Sequence, residues 1–141
     1  MRAFCACVIL SAAATAAGAE GLTFDQAQML YDAGVPFVDV SPRPNDGAAP
    51  HLTIPGALWL EDTGHPGLTD EAHFRLRNGL AAVTQGRPDA AVVLFCTGDC
   101  DDGRAAIRHA RGWGYATLLT FPDAVSEWHA AGRPLATAPQ N

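Results

Sequence analysis

The sequence predicts a single α/β domain with a central, mostly parallel sheet of four to five strands and helices on both faces. The chain has 141 residues, which is enough for one hydrophobic core but too few for two. Short β-rich runs alternate with helical patterns, the order expected of strands joined by crossover helices. One run, residues 91–95, is continuously apolar, as expected for a central strand that is covered on both faces.

The N-terminal part of the domain is predicted to form a helix and two short strands. Thr23 followed by Gln26 is a capping box at the start of the helix, and Gly34 ends that helix in a left-handed conformation. A short β-rich run follows at 36–40 and stops at a proline-rich stretch. The run at 57–60 predicts the second strand.

The C-terminal part supplies the strand and the helix that flank a cysteine. Thr69 is predicted to cap a helix that runs to about Val83. The later elements are the strand 91–95, a polar loop at 97–102, a helix from about Gly103 to Ala110, a strand at 117–121 and a last helix at 124–131. Ligands of parallel sheets bind beyond the carboxyl ends of strands, and Cys96 lies at such an end.

Residues 1–19 are predicted to be a secretory signal peptide. Met1 and Arg2 give a positive start, residues 3–17 are apolar, and Ala17-Gly18-Ala19 is an A-x-A-type cleavage site. The apolar stretch is short for a membrane span, although an uncleaved anchor is the alternative. We therefore expect cleavage after Ala19, a domain at 20–141 with its core at about 22–135, a periplasmic location and no stable membrane insertion after cleavage.

Charge excludes several classes of function. The formal net charge is -6, and every basic residue is an arginine. Nucleic-acid binding needs a basic face, and binding to anionic lipid needs a polybasic patch. We therefore expect no nucleic-acid partner. We also expect no organic cofactor and no resident metal.

Cys96 and Cys100 are the two cysteines of the predicted mature chain, because Cys5 and Cys7 lie within the signal segment. The amides of the loop after Cys96 and the positive end of the next helix would favour a thiolate, the nucleophilic form of the side chain. The same surroundings would hold a persulfide. Outside the cytosol, two nearby thiols can also oxidise to a disulfide.

The segment around Cys96 resembles the active-site segment of the rhodaneses. In that superfamily a strand ends in the sulfur-carrying cysteine, and paired alanines lie nine and ten positions later, as Ala105 and Ala106 do here. Further similar motifs, in the family's order, are Phe37-Val38-Asp39-Val40, Ile54-Pro55-Gly56-Ala57, Gly112-x-Gly114-Tyr115 and Trp128-x-x-Ala131-Gly132-x-Pro134. The resemblance covers about 22–135 and implies a rhodanese-like fold.

The resemblance also implies an activity and its residues. Cys96 would carry sulfane sulfur as a persulfide from a small sulfur donor to a thiol acceptor, and Cys100 would resolve the persulfide. A periplasmic redox protein is a further candidate partner. The residues expected around the substrate are Thr97, Gly98, Asp99, Asp101, Asp102, Gly103 and Arg104.

Within the superfamily, the chain is most similar to the exported proteins called PQQ-dependent catabolism-associated CXXCW motif proteins. The shared features are the signal segment, the stretches 39–44 and 54–60, the cysteine pair and Trp128. The pair here has the spacing C-x-x-x-C, and Asp101 follows it where a tryptophan is expected. This resemblance implies an association with periplasmic quinoprotein oxidation systems.

The acidic loop keeps other functions open. Asp99, Asp101 and Asp102 would repel an anionic donor such as thiosulfate, and they oppose thiolate formation by up to about 3 kcal/mol for charges ~5 Å apart at an effective dielectric constant of ~20. A reversible thiol–disulfide redox module based on the two cysteines is one alternative. A catalytically silent binding domain on the same scaffold is another.

Several residues have more than one possible role. The three aspartates with both thiols could bind a metal, and His51 or His65 could approach from neighbouring loops. Asp102 could instead cap the following helix. One helix face carries Arg104, Arg108 and Arg111. This face could attract anions, or it could be an ordinary solvated surface. Asp39, at a strand end, is expected to be structural and to pair with loop amides or an arginine.

Overall fold

Local sequence determines where the helices begin and end. The structure is a computed structural model, and it describes residues 21–45, 47, 49–98 and 100–139. The predicted signal peptide with Cys5 and Cys7, and also Asp99, lie outside these residues. Thr23 and Gln26 form the predicted capping box, and the Thr69 side chain accepts a hydrogen bond from the Ala72 amide. The helices are α1 (Phe24–Asp32), α2 (Asp70–Thr84), α3 (Arg104–Arg111) and α4 (Ala124–Ala130).

Four short strands form the central sheet, and all of them are parallel. They are β1 (Phe37–Asp39), β3 (Leu58–Trp59), β4 (Val92–Phe95) and β5 (Leu118–Thr120), in the spatial order β3-β1-β4-β5. Val38 of β1 pairs with Leu58 on one side and with Leu94 on the other. The predicted mostly parallel sheet of four to five strands is confirmed.

A second, two-stranded sheet was not predicted. It pairs β2 (Leu52–Thr53) with β6 (Ala136–Thr137) in antiparallel register. Two residues are too few to show an alternating pattern, so neither strand could be identified from the sequence. This small sheet joins the segment that follows the proline-rich stretch to the C-terminal end of the described chain.

Side chains alternate between two hydrophobic cores, one on each face of the sheet. Strand residues such as Val38 and Leu94 pack with Leu76 of α2 and Ile107 of α3. Their neighbours along the strands, Phe37, Val93 and Phe95, pack with Ala27 of α1 and with Ala124 and Trp128 of α4. Helices therefore cover both faces, as predicted.

Burial on both faces positions the end of β4 inside the molecule. All four residues of β4 have no exposed surface. The chain leaves the sheet at Cys96, between the carboxyl ends of β1 and β5. In the part of the chain that the structure describes, no helix has both the length and the apolar character needed to cross a bilayer.

Candidate active site around Cys96 and Cys100

Cys96 and Cys100 are joined by a disulfide. Their Cα atoms lie 6.1 Å apart, within the range that a disulfide requires. Left-handed backbone stands on both sides of Cys100: Gly98 before it has a φ of +101°, and Asp101 and Asp102 after it have φ values of 50° and 52°. The pair is therefore placed for reversible thiol chemistry.

Both cysteines are buried at the end of the sheet. Cys96 is 7% exposed and Cys100 is 3% exposed, and both belong to the core that packs against α2 and α3. Gly64 closes the site from the side, because a Cβ atom at that position would lie 2.8 Å from the Cβ of Cys100. A reagent therefore has little sulfur surface to reach while the disulfide is formed.

The loop amides are used differently from the predicted anion cradle. The Thr97 amide donates to Ser41 Oγ over 2.7 Å, and the Cys100 amide donates to the Gly98 carbonyl over 3.2 Å. The Gly103 amide donates to the Cys100 carbonyl over 3.0 Å. In the disulfide form, these three amides are not free to bind an anion.

The start of α3 also differs from its prediction. A 3₁₀ turn at Asp101–Gly103 precedes the helix, which begins at Arg104. Gly103, at a φ of +82°, takes the N-cap position, and no side chain caps the helix there. The predicted capping role of Asp102 is wrong, because Asp102 lies one position too early and is itself in the left-handed region.

Two arginines offset part of the negative charge of the loop. Arg104 Nη1 lies 3.5 Å from Asp101 Oδ1, and Arg108 Nη1 lies 3.8 Å from Asp101 Oδ2. All three side chains are about half exposed, so solvent screens these pairs and each contributes little to stability. Their effect is on local charge: the loop is less repulsive to anions than the sequence suggests.

A buried polar network lies beside the cysteine loop. Asp39 has no exposed surface, and its carboxylate accepts hydrogen bonds from the Ser41 amide (2.9 Å), the Ser41 hydroxyl, the Thr53 hydroxyl (2.8 Å) and His51 Nε2 (2.7 Å). The expectation that Asp39 pairs with loop amides or an arginine holds only for the Ser41 amide. A histidine and two hydroxyl groups are its other partners.

His51 is the functional candidate that sequence reasoning placed incorrectly. From the sequence alone, His51 is a candidate metal ligand that could approach the cysteines. The structure places its ring on Asp39 and stacks it against Trp59, with ring centroids 4.3 Å apart. The only hint in the sequence is the alternation of His51 and Thr53, which brings both side chains to one side of β2.

His65 lies at a separate groove of about 550 Å³, lined mainly by charged side chains that include Arg43, Glu61 and Arg75. A hydrogen bond from Arg43 to Glu61, together with the charge of Glu61, raises the pKa of Arg43 above its ordinary value. Across the described ranges, no three His, Cys, Asp or Glu side chains are grouped so as to hold a metal ion. Among these residues, the structure therefore does not gather His51, His65 and the cysteines into a set of three metal ligands.

Comparison with solved structures identifies the architecture. No protein-family model and no curated protein matches the chain. The Rhodanese_3-like domain of the Anabaena sp. protein Alr3790 matches with a TM-score of 0.53 and 14% identity, over 76% of this chain and 96% of that one. A second structure of the Anabaena Alr3790 protein matches with a TM-score of 0.52 and 14% identity, over 79% and 76% of the two chains.

The human single-domain sulfurtransferase TSTD1 matches with a TM-score of 0.52 and 24% identity, over 80% of this chain and 97% of that one. These likenesses do not extend to the narrower group of PQQ-associated proteins, and that resemblance stays a prediction. At these identities the likenesses establish the architecture. The chain has the rhodanese-like fold.

Proposed function

We propose that this protein is an exported sulfurtransferase of the rhodanese type, in which Cys96 carries sulfane sulfur and Cys100 resolves the persulfide. The observation that carries the proposal is the position of Cys96 at the carboxyl end of a central strand, with Cys100 within disulfide distance. The likeness to a human protein named as a single-domain sulfurtransferase supports it. The predicted signal peptide supports a periplasmic location.

The cycle begins with reduction of the disulfide. Two equivalents of a thiol reductant convert the Cys96–Cys100 bond to two thiols and leave as the oxidised reductant. The Cys96 thiolate then attacks the outer sulfur of an organic persulfide, R–S–SH. A Cys96–S–SH persulfide forms, and the thiolate RS⁻ leaves.

The sulfur then has two fates. An acceptor thiolate attacks the outer sulfur of the Cys96 persulfide, takes that sulfur and regenerates the Cys96 thiolate. Without an acceptor, the Cys100 thiolate attacks the Cys96 sulfur, expels HS⁻ and restores the disulfide. The second route protects the buried site, because it returns the pair to the disulfide form.

Charge around the site favours neutral or monoanionic donors over thiosulfate. Asp101 and Asp102 lie in the turn directly after Cys100, and Arg104 and Arg108 offset only the charge of Asp101. A dianion approaching Cys96 therefore meets an uncompensated carboxylate. An organic persulfide avoids most of this repulsion.

A second candidate function is a thiol–disulfide redox module without sulfane-sulfur transfer. The buried Cys96–Cys100 disulfide favours it, because the same pair can exchange electrons with a redox protein of the periplasm. The two functions share the reduction step. They differ in whether Cys96 takes up an added sulfur.

Intact mass of the exported protein distinguishes the two functions. The protein is purified without reductant, then reduced, and then treated with an organic persulfide or a polysulfide. We expect one added sulfur to persist in Cys100→Ser and none in Cys96→Ser. The wild type should return to its disulfide mass and release HS⁻, because Cys100 resolves the persulfide. If Cys100→Ser gained no sulfur under either treatment while the wild type still gained two hydrogens on reduction, sulfur transfer would be excluded and the redox function would be left.

A further inference from the structure

We propose that Asp39, Ser41 and His51 are positioning residues for the Cys96–Cys100 pair. The proposal rests on the thiol chemistry proposed above, and it concerns how readily the disulfide forms. The three side chains connect the carboxyl end of β1 and strand β2 to the first residue of the cysteine loop. None of these three side chains makes a hydrogen bond to a sulfur atom, so they act through the backbone.

The sheet register brings the network to the loop. Asp39 pairs with Phe95 across the parallel strands, and the Val40 amide donates to the Phe95 carbonyl over 2.9 Å. Ser41 lies two residues beyond Asp39, and Thr97 lies two residues beyond Phe95. The same register therefore places the Ser41 hydroxyl beside the Thr97 amide. The hydroxyl of a fully buried serine thus holds the amide directly after Cys96.

The direction of each hydrogen bond follows from the chemistry of the groups. An ionised carboxylate only accepts, and Asp39 receives two donors on each oxygen. The single proton of the Ser41 hydroxyl is therefore given to Asp39, and the Ser41 oxygen is left to accept from Thr97. His51 must carry its proton on Nε2 to complete the carboxylate shell.

Saturation of Asp39 fixes Ser41, and Ser41 fixes the loop. The Thr97 side chain is exposed, so this residue is restrained mainly by the hydrogen bond from its amide to the buried Ser41 hydroxyl. Disulfide formation between residues four positions apart depends on how often the loop brings the two sulfurs together. Losing one network hydrogen bond changes an equilibrium constant by about ten-fold, and we expect the loosened loop to favour the dithiol by that factor.

The test is the equilibrium between disulfide and dithiol in glutathione buffers, read by alkylation of free thiols and intact mass. Ser41→Ala removes the acceptor of the Thr97 amide with little change in volume. We expect its disulfide to be about ten-fold easier to reduce than the wild-type disulfide, a change of about 30 mV. Thr84→Val is the matched control, because Thr84 is a buried hydroxyl that bonds to Leu80 in α2, outside the network.

A second pair of variants tests the far end of the network. His51→Gln keeps a side-chain donor for Asp39, whereas His51→Leu removes it. We expect His51→Leu to shift the equilibrium in the same direction as Ser41→Ala, and His51→Gln to restore it toward the wild type. This pair stays informative if Ser41→Ala fails to fold.

Two results would overturn the proposal. One is an equilibrium constant for Ser41→Ala and His51→Leu that lies within two-fold of the Thr84→Val value. The other is a wild-type protein that forms no disulfide at any glutathione ratio, since the network would then have no pair to position. Neither readout uses sulfane sulfur, so failure of sulfur transfer is detected separately, by the mass experiment above.

Discussion

Gly64 packs directly against Cys100. A Cβ atom on Gly64 would lie 2.8 Å from the Cys100 Cβ and 2.9 Å from the Val40 carbonyl oxygen. Both contacts are shorter than van der Waals distance, and one involves backbone that cannot rotate away. The loop that carries Gly64 thus approaches the cysteine pair as closely as it does because residue 64 has no side chain.

The first prediction follows from this contact. Gly64→Ala should lower the free energy of unfolding by about 1–3 kcal/mol, the usual cost of overpacking a filled core. Urea denaturation measures the change. Gly67→Ala is the control, because no atom lies within 4 Å of a Cβ built there. Equal stability of the two variants would contradict the close packing of residue 64 on Cys100.

The second prediction concerns the buried carboxylate of Asp39. Asp39→Asn replaces an acceptor-only group by an amide whose NH₂ faces donors, so at least one buried hydrogen bond is lost. We expect the free energy of unfolding to fall by about 3 kcal/mol. Asp89→Asn, at an exposed turn, should change it by less than about 0.5 kcal/mol. A small effect at Asp39 would show that the carboxylate is not the centre of the network.

The third prediction concerns charge at the cysteine loop. Asp101→Asn removes the carboxylate that Arg104 and Arg108 contact, so both arginines become available to an anion. In the reduced protein, we expect the reaction of Cys96 with a dianionic aromatic disulfide to become a few-fold faster, and the gain to shrink at high salt. Reaction with a neutral aromatic disulfide should gain less, because only the ease of thiolate formation changes for that reagent.

Asp123→Asn is the matched control for that charge change. Asp123 has a φ of 51° and Asp101 has a φ of 50°. The new asparagine must therefore adopt the same left-handed backbone conformation at both positions, and asparagine tolerates that conformation. Asp123 occupies the N-cap position of α4, outside the cysteine loop, and its side chain makes no capping hydrogen bond there. Equal acceleration in both variants would point to overall charge rather than to the two arginines.

The fourth prediction concerns the contribution of the disulfide to stability. Closing a loop of this length should stabilise the protein by about 2 kcal/mol in the chain-entropy description. Reduction should lower the melting temperature accordingly. The double variant Cys96→Ser, Cys100→Ser should melt at the same temperature with and without reductant. A reductant-dependent shift in the double variant would assign the effect to something other than this bond.

Much of the fold was predictable because its signals are local. The capping box at Thr23, the cap at Thr69 and the apolar run of β4 each depend on residues within a few positions of one another. Crossover connections then require a parallel sheet. The strands β2 and β6 could not be predicted, because they are two residues long and pair across more than eighty positions.

The cysteine pair was predictable, and the network beside it was not. Cys96 follows a strand and Cys100 lies four residues later, so their proximity can be read along the chain. The contact between Asp39 and His51 depends on the path of the proline-rich stretch between them and on the pairing of strand β2. No sequence pattern predicts either of these. The hold of Ser41 on Thr97 depends on strand register, which adjacent sequences do not reveal.

The small antiparallel sheet has a consequence for where the functional domain ends. Strand β6 pairs Thr137 with Leu52, and the Ala138 amide donates to the His51 carbonyl over 2.8 Å. A truncation after residue 135, where the resemblance to rhodaneses fades, would leave the whole parallel sheet intact. It would remove strand β6 and the hydrogen bond from the Ala138 amide to the His51 carbonyl. The C-terminal residues therefore support the cysteine loop indirectly, through β2, His51 and Asp39.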